Sequence, residues 1–336
     1  MKLVFTADLH IGSAFSGENS ALRNAELIEN FRSIVKYAEN IGASFVLLGG
    51  DLFDTPYPAP ELEGAVYSIV ENAAVRFIAI SGNHDPLSKT RFYKNPPENM
   101  TVLPARMTGV DLGGVMLYGA SVYNADDNED IWQNFCTEGE FITLSHGELS
   151  GNGFIPISRT SLSNVGARLN LLGHIHLSSV TVLSNGRHAL YCGCPAGRGF
   201  DECGEKGFYA IDTDGYTYEF IKCDAKQYKE YVFDVSDLDY PTIVTQLCAV
   251  TKQDNEIPRA LLTGRVPPES EIDTAKLLPL TQFVEIKDKT EVGFDKLEIA
   301  KANTLEGEFV RILLADDSEF ADDAITEGIK ALRRQK

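Results

Sequence analysis

The chain has 336 residues, of which 43% are hydrophobic and 24% are charged, and its formal net charge is −19. This length exceeds the roughly 250–300 residues at which a single core usually stops growing, so the sequence predicts two domains. No apolar stretch approaches the roughly 18–20 residues that a membrane-spanning helix needs, which argues against a membrane protein. A negative field of this size repels phosphate polymers, so a nucleic-acid partner requires a local basic surface, bound metals or another subunit.

The N-terminal segment and the cysteines indicate a cytoplasmic protein. The first apolar run is short and is followed at once by Asp8 and His10, where a signal peptide would have a cleavage site. Six cysteines in such a chain are expected to be reduced and mostly buried. Cys192 and Cys194 have C-x-C spacing, whereas zinc sites favour C-x₂-C, so we expect no structural zinc there.

The first hundred residues alternate strands with helices. Short apolar runs rich in Val, Ile and Phe predict buried strands over 2–7, 44–49 and 76–80. A helical stripe predicts one helix over 21–41, and a proline-led segment predicts a second over 61–72. Strand–helix–strand units of this kind form parallel sheets, so this part of the chain is of the α/β class.

From about residue 100 the predicted strands are short and closely spaced. They are predicted at 101–103, 115–119, 141–144, 169–172, 179–183, 188–191, 208–212 and 216–222. Asn185-Gly186 and Asp214-Gly215 are favoured hairpin turns. The sequence therefore predicts a second sheet, mixed or antiparallel, that packs against the first in a sandwich.

A polar stretch over 224–230 marks the predicted domain boundary, which gives domains 1–226 and 227–336. The second domain is expected to be a small α+β unit. Its predicted elements are strands 231–235, 259–266 and 282–287, a helix over 241–250, loops over 252–256 and 267–271, and an amphipathic helix within 316–336.

Residues of metal-ligand type follow the ends of five predicted strands. They are Asp8 and His10, Asp51, Asn83 and His84, His146, and His174 and His176. Strand ends from distant parts of the chain meet at one edge of a sheet, so we expect these side chains to converge. Together they supply two carboxylates, one amide oxygen and several imidazoles, which is enough for two metal ions that share a bridging carboxylate.

The ligand set predicts the metal and the reaction. Oxygen and nitrogen donors without thiolate favour Mn²⁺, Fe or Zn²⁺ over an all-oxygen Mg²⁺ or Ca²⁺ site. A metal pair activates a bridging water and neutralises charge on phosphoryl oxygens, so hydrolysis of a phosphate ester is expected. The isolated His188 is expected to be structural, since it lies on a strand away from these clusters.

These strings resemble a known family. Asp8-x-His10, Gly50-Asp51, Gly82-Asn83-His84-Asp85, His146 and Gly173-His174-x-His176 are similar, in order and spacing, to the five signatures of calcineurin-like metallophosphoesterases. Within that superfamily, the segments 5–13, 50–54 and 191–208 resemble SbcD-type DNA repair exonucleases, in particular a shorter bacterial branch. The resemblance implies a two-sheet α/β/β/α sandwich with a small C-terminal α+β capping domain.

The resemblance also implies roles for individual residues. Asp8, His10 and His176 would hold one metal, and Asn83, His146 and His174 the other, with Asp51 between them. His84 would be the general acid, and Asp54 would orient it. The nucleases of this group act on DNA with a coiled-coil ATPase, so an SbcC-like partner and a homodimer are expected possibilities.

Two alternatives stay open at this point. The same metal site could serve a small-molecule or nucleotide phosphatase or phosphodiesterase, and the acidic charge fits poorly with DNA. Possible local cations are Arg159, Arg168, Arg187 and Arg198. Of these, Arg198, together with Lys206, is the candidate for contact with the phosphate backbone, although a solvated loop arginine is an equal alternative.

Overall fold

The computed structural model describes residues 1–15, 20–149, 155–236, 238–266, 272–316, 318 and 320–334. The chain divides into two compact units, Met1–Tyr228 and Lys229–Lys336. In the described part of the first unit the strands are β1 (Lys2–Thr6), β2 (Phe45–Gly49), β3 (Arg76–Ile80), β4 (Met100–Val102), β5 (Thr108–Asp111), β6 (Met116–Gly119), β7 (Phe141–His146), β8 (Leu169–Gly173), β9 (Ser179–Val182), β10 (His188–Tyr191), β11 (Gly207–Asp212) and β12 (Thr217–Lys222). Its helices are α1 (Ser20–Asn40), α2 (Pro60–Glu71) and α3 (Arg159–Val165).

The first sheet has the strand order β12-β11-β1-β2-β3-β4. The predicted parallel pairing of the first three strands is confirmed, and β4 continues it in parallel. β11 pairs with β1 in the antiparallel direction, and β12 pairs with β11. The strands 101–103 and 208–222 were predicted for the second sheet, and that assignment is wrong because β4, β11 and β12 extend the first sheet at its two edges.

The second sheet has the order β5-β6-β7-β8-β10-β9 and is mixed, as predicted. β6, β7, β8 and β10 are parallel neighbours, and β5 and β9 close the edges in the antiparallel direction. Both β7 and β8 are buried along their whole length. Strands covered on both faces are mostly apolar, and two buried polar residues of this pair, Thr143 and Asn170, bond to each other at 2.9 Å.

Three apolar cores define four layers. Between the sheets, alternate residues of both sheets pack together, such as Phe5 and Leu47 of the first and Leu144 and Leu171 of the second. The other face of the first sheet packs against α1 and α2, and that of the second sheet packs against α3 and the loop carrying Trp132. The predicted α/β/β/α sandwich is therefore confirmed.

The second unit is a separate α+β fold. Its described elements are β13 (Gln227–Asp234, which begins just before the division), α4 (Tyr240–Cys248), β14 (Glu256–Thr263), β15 (Arg265–Val266), α5 (Thr274–Leu277), β16 (Glu285–Asp288), β17 (Glu291–Val292), α6 (Lys296–Lys301), α7 (Leu305–Leu314) and α8 (Ala321–Arg334). A sheet of order β13-β14-β16 packs on Ile243 and Leu247 of α4. Val310 of α7 and Ile325 and Ile329 of α8 form a second, smaller core.

Several predicted boundaries differ from the observed ones. The stretch 224–230 was predicted as a polar linker, but β13 begins within it at Gln227. The predicted loop 252–256 ends as β14 begins at Glu256. α3, α6 and α7 were not predicted, and the predicted loop 267–271 lies outside the described residues. Among the described residues, no helix combines the length and apolarity that crossing a bilayer requires.

Candidate metal centre

The predicted ligands meet at the carboxyl ends of parallel strands from both sheets. Asp8 and His10 follow β1, Asp51 follows β2, and Asn83 and His84 follow β3. On the second sheet, His146 is the last residue of β7, and His174 and His176 follow β8. Because the two sheets pack face to face, these ends form one cluster, as expected from the sequence.

The cluster depends on an unusual backbone conformation. Asp8, His10, Asp51 and His174 have positive φ angles of 54°, 47°, 50° and 96°. Non-glycine residues rarely adopt this region, and such strain persists only where the surroundings enforce it. Here hydrogen bonds tie two loops together, from the Asp8 amide to the Gly50 carbonyl (3.0 Å) and from the His10 amide to the Asp51 carbonyl (2.9 Å).

Asp8, His10 and His176 form one group of possible ligands. The Nε2 atoms of His10 and His176 face each other at 3.0 Å, and an oxygen of Asp8 lies 4.0 Å from His176 Nε2. Asp8 is held in place by the His174 amide, which donates to its carboxylate at 2.9 Å. Asp8 and His10 are almost completely buried.

A second set of donors surrounds Asn83. Its Oδ1 lies 2.9 Å from His146 Nε2 and 3.0 Å from His174 Nδ1. His146 Nδ1 donates to the Gly49 carbonyl at 2.9 Å, which directs Nε2 into the cluster. The tight packing explains Gly50, where a Cβ atom would lie 2.4 Å from His146 Nδ1.

Asp51 lies between the two sets. Its Oδ2 is 3.6 Å from His10 Nε2 and 3.4 Å from His146 Nε2, while its Oδ1 accepts from the His84 amide at 2.9 Å. Asp51 also belongs to two further groups of possible ligands, one with Asp8 and His146 and one with His10 and His84. One carboxylate is therefore shared by both halves of the cluster.

The charges of this cluster fit bound cations. Burial, with the nearby Asp51 charge, raises the pKa of Asp8 to about 6. Burial lowers the pKa of both His10 and His174 to about 4, so both are neutral near pH 7 and can act as ligands. Burial would lower the pKa of His146 too, but the carboxylates of Asp51 and Asp8 outweigh it and raise that pKa to about 9. A proton on His146 thus occupies the place of a cation, and a divalent ion would supply the same positive charge.

His84 lies at the more open side of the cluster. Its side chain is 41% exposed, and its Nδ1 lies 3.1 Å from the backbone carbonyl of Asp54. The Asp54 carboxylate is farther from His84, at 3.8 Å, and lies closer to His10 Nδ1, at 3.0 Å. The carbonyl can only accept, so Nδ1 of His84 donates to it and Nε2 is directed away from it.

The sequence reasoning missed Glu202, which lies behind His176 and joins Asp54 and Arg198 in one group of charges. Glu202 is buried and its Oε1 lies 2.7 Å from His176 Nδ1. The Arg198 guanidinium donates to Glu202 and, at 2.8 Å, to Asp54. Glu202 lies in the 191–208 segment that carries the nuclease resemblance, and that segment was the only available signal for it.

Asp85 was also missed as a structural link between the site loops. Its buried carboxylate accepts from the Phe53 amide, the Gly82 amide and the Tyr93 hydroxyl at 3.0, 2.8 and 2.6 Å. Burial and the charge of Asp51 raise the pKa of Asp85 to about 7. These bonds hold the loop after β2 against the loop after β3, which carries Asn83 and His84.

Two of the other cations named from the sequence, Arg168 and Arg187, lie away from the candidate ligands. Arg168 and Arg187 line a cleft with Leu169, at the start of β8, whereas His174 follows its end. The five residues of β8 therefore separate this cleft from His174 by roughly 17 Å. Arg159 donates to the Leu149 carbonyl. Lys206 is only 1% exposed and donates to the His176 carbonyl, so the expectation that it contacts the phosphate backbone is wrong.

The cysteines take no part in the cluster. The groups of possible ligands among the described residues contain no cysteine. Burial raises the pKa of Cys194 to about 12 and that of Cys192 well above its ordinary value. Buried protonated thiols of this kind are poor metal ligands.

A two-sheet α/β sandwich with carboxylate, amide and imidazole ligands at its carboxyl edge has the architecture of a metallophosphoesterase. The chain belongs to the calcineurin-like phosphoesterase family, whose family model matches residues 1–178, more than half of the chain. The resemblance drawn from the motifs is thereby confirmed, as is the enzyme class, a metal-dependent hydrolase of phosphate esters.

Individual relatives are more distant. An 89-residue segment is 32% identical to the SbcD component of the SbcCD nuclease of Staphylococcus epidermidis, and the match spans 25% of this chain and 23% of that relative. A solved archaeal phosphodiesterase has 15% identity and a TM-score of 0.39 over 66% of this chain and 99% of its own. A dimetal phosphatase from Danio rerio has 12% identity and a TM-score of 0.45 over 66% of this chain and 95% of its own.

The charge on His146 predicts how pH affects the metal-free protein. Its folded pKa is raised from 6.5 to about 9, so its stabilisation is complete below pH 6.5 and is lost as the pH rises to 9. We expect the free energy of unfolding of EDTA-treated protein to fall by on the order of 2 kcal/mol over this window. Urea titrations read by the fluorescence of Trp132, the single tryptophan, measure it. His146→Gln should flatten the dependence, and an equally steep dependence in that variant would contradict the assignment.

Proposed function

We propose that this protein is a dinuclear metal-dependent phosphodiesterase and that it acts as a DNA repair exonuclease of the SbcD type. The observation that carries the proposal is the position of Asp51, whose carboxylate lies 3.6 Å from His10 Nε2 and 3.4 Å from His146 Nε2. A carboxylate shared by two ligand sets is what a two-metal site needs.

The proposed ligands follow the two sets. Asp8, His10 and His176 would hold one ion, and Asn83, His146 and His174 the other, with Asp51 bridging them. When bound, the two ions supply charge neutralisation at phosphorus and a water of lowered pKa. The donors are oxygen and nitrogen atoms, which supports Mn²⁺ as the metal, with Fe or Zn²⁺ as alternatives.

His84 is the proposed general acid. Its Nδ1 donates to the Asp54 carbonyl, and its exposed ring leaves Nε2 open towards a substrate. In the protonated form, Nε2 can donate to the leaving oxygen of the ester as the bond to phosphorus breaks. Asp54 orients this ring through its backbone carbonyl, and its carboxylate adds a charge 3.8 Å away.

DNA as the substrate is supported by the segment shared with a relative that is named as part of a nuclease. The net charge of −19 favours the alternative, a small phosphate ester or nucleotide. We extend the proposal to an SbcC-like coiled-coil ATPase partner, because that relative is named as one subunit of the SbcCD nuclease. We also propose a homodimer and a cytoplasmic location, as expected from the sequence. The second unit is proposed to cap the catalytic unit and to control substrate access.

A substrate comparison tests the proposal. We expect the Mn²⁺-loaded protein to hydrolyse bis-p-nitrophenyl phosphate and to release nucleotides from linear single- or double-stranded DNA, with and without an added SbcC-type ATPase. Covalently closed circular DNA is the matched control, because it has no ends and should survive. Ester hydrolysis that leaves every linear DNA intact, even with the ATPase, would establish the small-molecule alternative instead.

Replacement of His84 tests the general acid. His84→Ala should keep its bound Mn²⁺ but cleave DNA about 10²-fold more slowly, the usual contribution of such a group. The loss should be smaller for bis-p-nitrophenyl phosphate, because p-nitrophenolate leaves without protonation. His188→Ala, whose ring bonds to Tyr218 on β12, is the control and should remain active. An equal loss on both substrates, or no loss, would contradict the role.

A further inference from the structure

Arg198 lies between two carboxylates that each contact a histidine of the same ligand group. Its guanidinium donates to Asp54 Oδ1 at 2.8 Å and to Glu202 Oε1 at 2.6 Å. Asp54 Oδ1 lies 3.0 Å from His10 Nδ1, and Glu202 Oε1 lies 2.7 Å from His176 Nδ1. The Nδ1 atoms of His10 and His176 therefore both contact one connected set of charged side chains.

The distances fix where the proton of His176 lies. An arginine nitrogen is 3.1 Å from His176 Nδ1, so an unprotonated Nδ1 could accept from Arg198. That arrangement would place a lone pair on Nδ1 only 2.7 Å from the Glu202 oxygen, where two acceptors repel. A proton on Nδ1 that is donated to Glu202 removes this repulsion, and Arg198 then donates to the same oxygen.

With Nδ1 protonated, a neutral His176 presents the lone pair of Nε2 to the cluster. The same reasoning applies to His10, whose Nδ1 donates to Asp54. The two Nε2 lone pairs then face each other at 3.0 Å, beside Asp8. Two acceptors at this distance repel each other, and a cation that accepts both lone pairs would remove the repulsion.

Hydrogen bonds within its own loop hold Glu202 in position. The Arg198 amide donates to Glu202 Oε2 at 2.8 Å, and the Glu202 amide donates to the Gly199 carbonyl at 3.1 Å. Cys194 contributes a thiol contact to Oε2 at 3.6 Å.

We infer that Glu202 is a positioning residue that fixes the tautomer and orientation of His176, and that Arg198 couples it to Asp54, which does the same for His10. This inference rests on the proposed function, because it assigns the pair to one of the two metal positions. The inference also replaces the role expected for Arg198 from the sequence, contact with the phosphate backbone, because its guanidinium already bonds to two carboxylates. Mutation of a carboxylate that hydrogen-bonds to a metal-binding histidine commonly lowers the metal affinity by about 10–100-fold.

The test is a Mn²⁺ titration of the metal-free full chain, with free Mn²⁺ counted by electron paramagnetic resonance. Glu202→Gln keeps the size of the side chain and removes its charge. We expect one of the two stepwise dissociation constants to rise about 10–100-fold and the other to stay within about 2-fold. Glu256→Gln is the matched control, since Glu256 is equally buried but bonds to Lys229 and Tyr231 in the other unit. Both of its dissociation constants should match those of the unchanged protein.

A second measurement uses the unchanged protein without metal, so it does not depend on whether a variant folds. Long-range ¹H–¹⁵N spectra of the metal-free protein should identify His176 as the Nδ1–H tautomer. An Nε2–H tautomer, or a Glu202→Gln variant with both dissociation constants unchanged, would overturn the inference while leaving the proposed function intact. Failure of the unchanged protein to bind two Mn²⁺ ions would instead overturn the proposed function, and this inference with it.

Discussion

The burial of two neighbouring carboxylates, Asp8 and Asp51, determines the charges and the backbone conformation of the rest of the site. Each is about 1% exposed, and burial of two unneutralised charges at this proximity is costly. The metal-free protein compensates with a proton on His146, whose pKa is raised to about 9, and the pKa of Asp8, raised to about 6, reflects the cost of its own buried charge. Divalent cations would neutralise the same charges without that proton.

The backbone around the site follows from this requirement. Left-handed conformations at Asp8, Asp51 and His174 aim their side chains inward, and each costs on the order of 1 kcal/mol or more. Hydrogen bonds between the loops after β1 and β2, together with the buried Asp85 carboxylate, hold these conformations. The sandwich core lies directly beneath and provides the rigid support that such strained loops need.

The sequence predicted that the candidate ligands would come together, because these residues are tied to strand ends. Asp8, Asp51, Asn83 and His146 each follow or end an apolar run, and the parallel strands bring those ends together. The same logic failed for β11, whose pairing with β1 joins residues about 200 positions apart and leaves no local pattern. Helix α6 was missed because it has only six residues, whereas α7 does carry an apolar stripe, Leu305, Phe309 and Leu313, that the sequence analysis overlooked.

Residues behind the ligands could not be predicted for a related reason. Glu202 reaches His176 only because the loop from Arg198 to Glu202 turns back on itself, and its path depends on contacts with Cys194 and Gly199. Arg168 and Arg187 have the right charge for a phosphate, but strand direction places them at the far end of β8. Chemical type alone gives no information on that direction.

The central claim is that one carboxylate is shared by two metal ions, and diffraction from Mn²⁺-soaked crystals tests it most directly. Anomalous maps collected above the manganese edge should contain two peaks about 3.5–4 Å apart, with the Asp51 carboxylate between them. A single peak at full occupancy, or peaks that do not contact Asp51, would contradict the account.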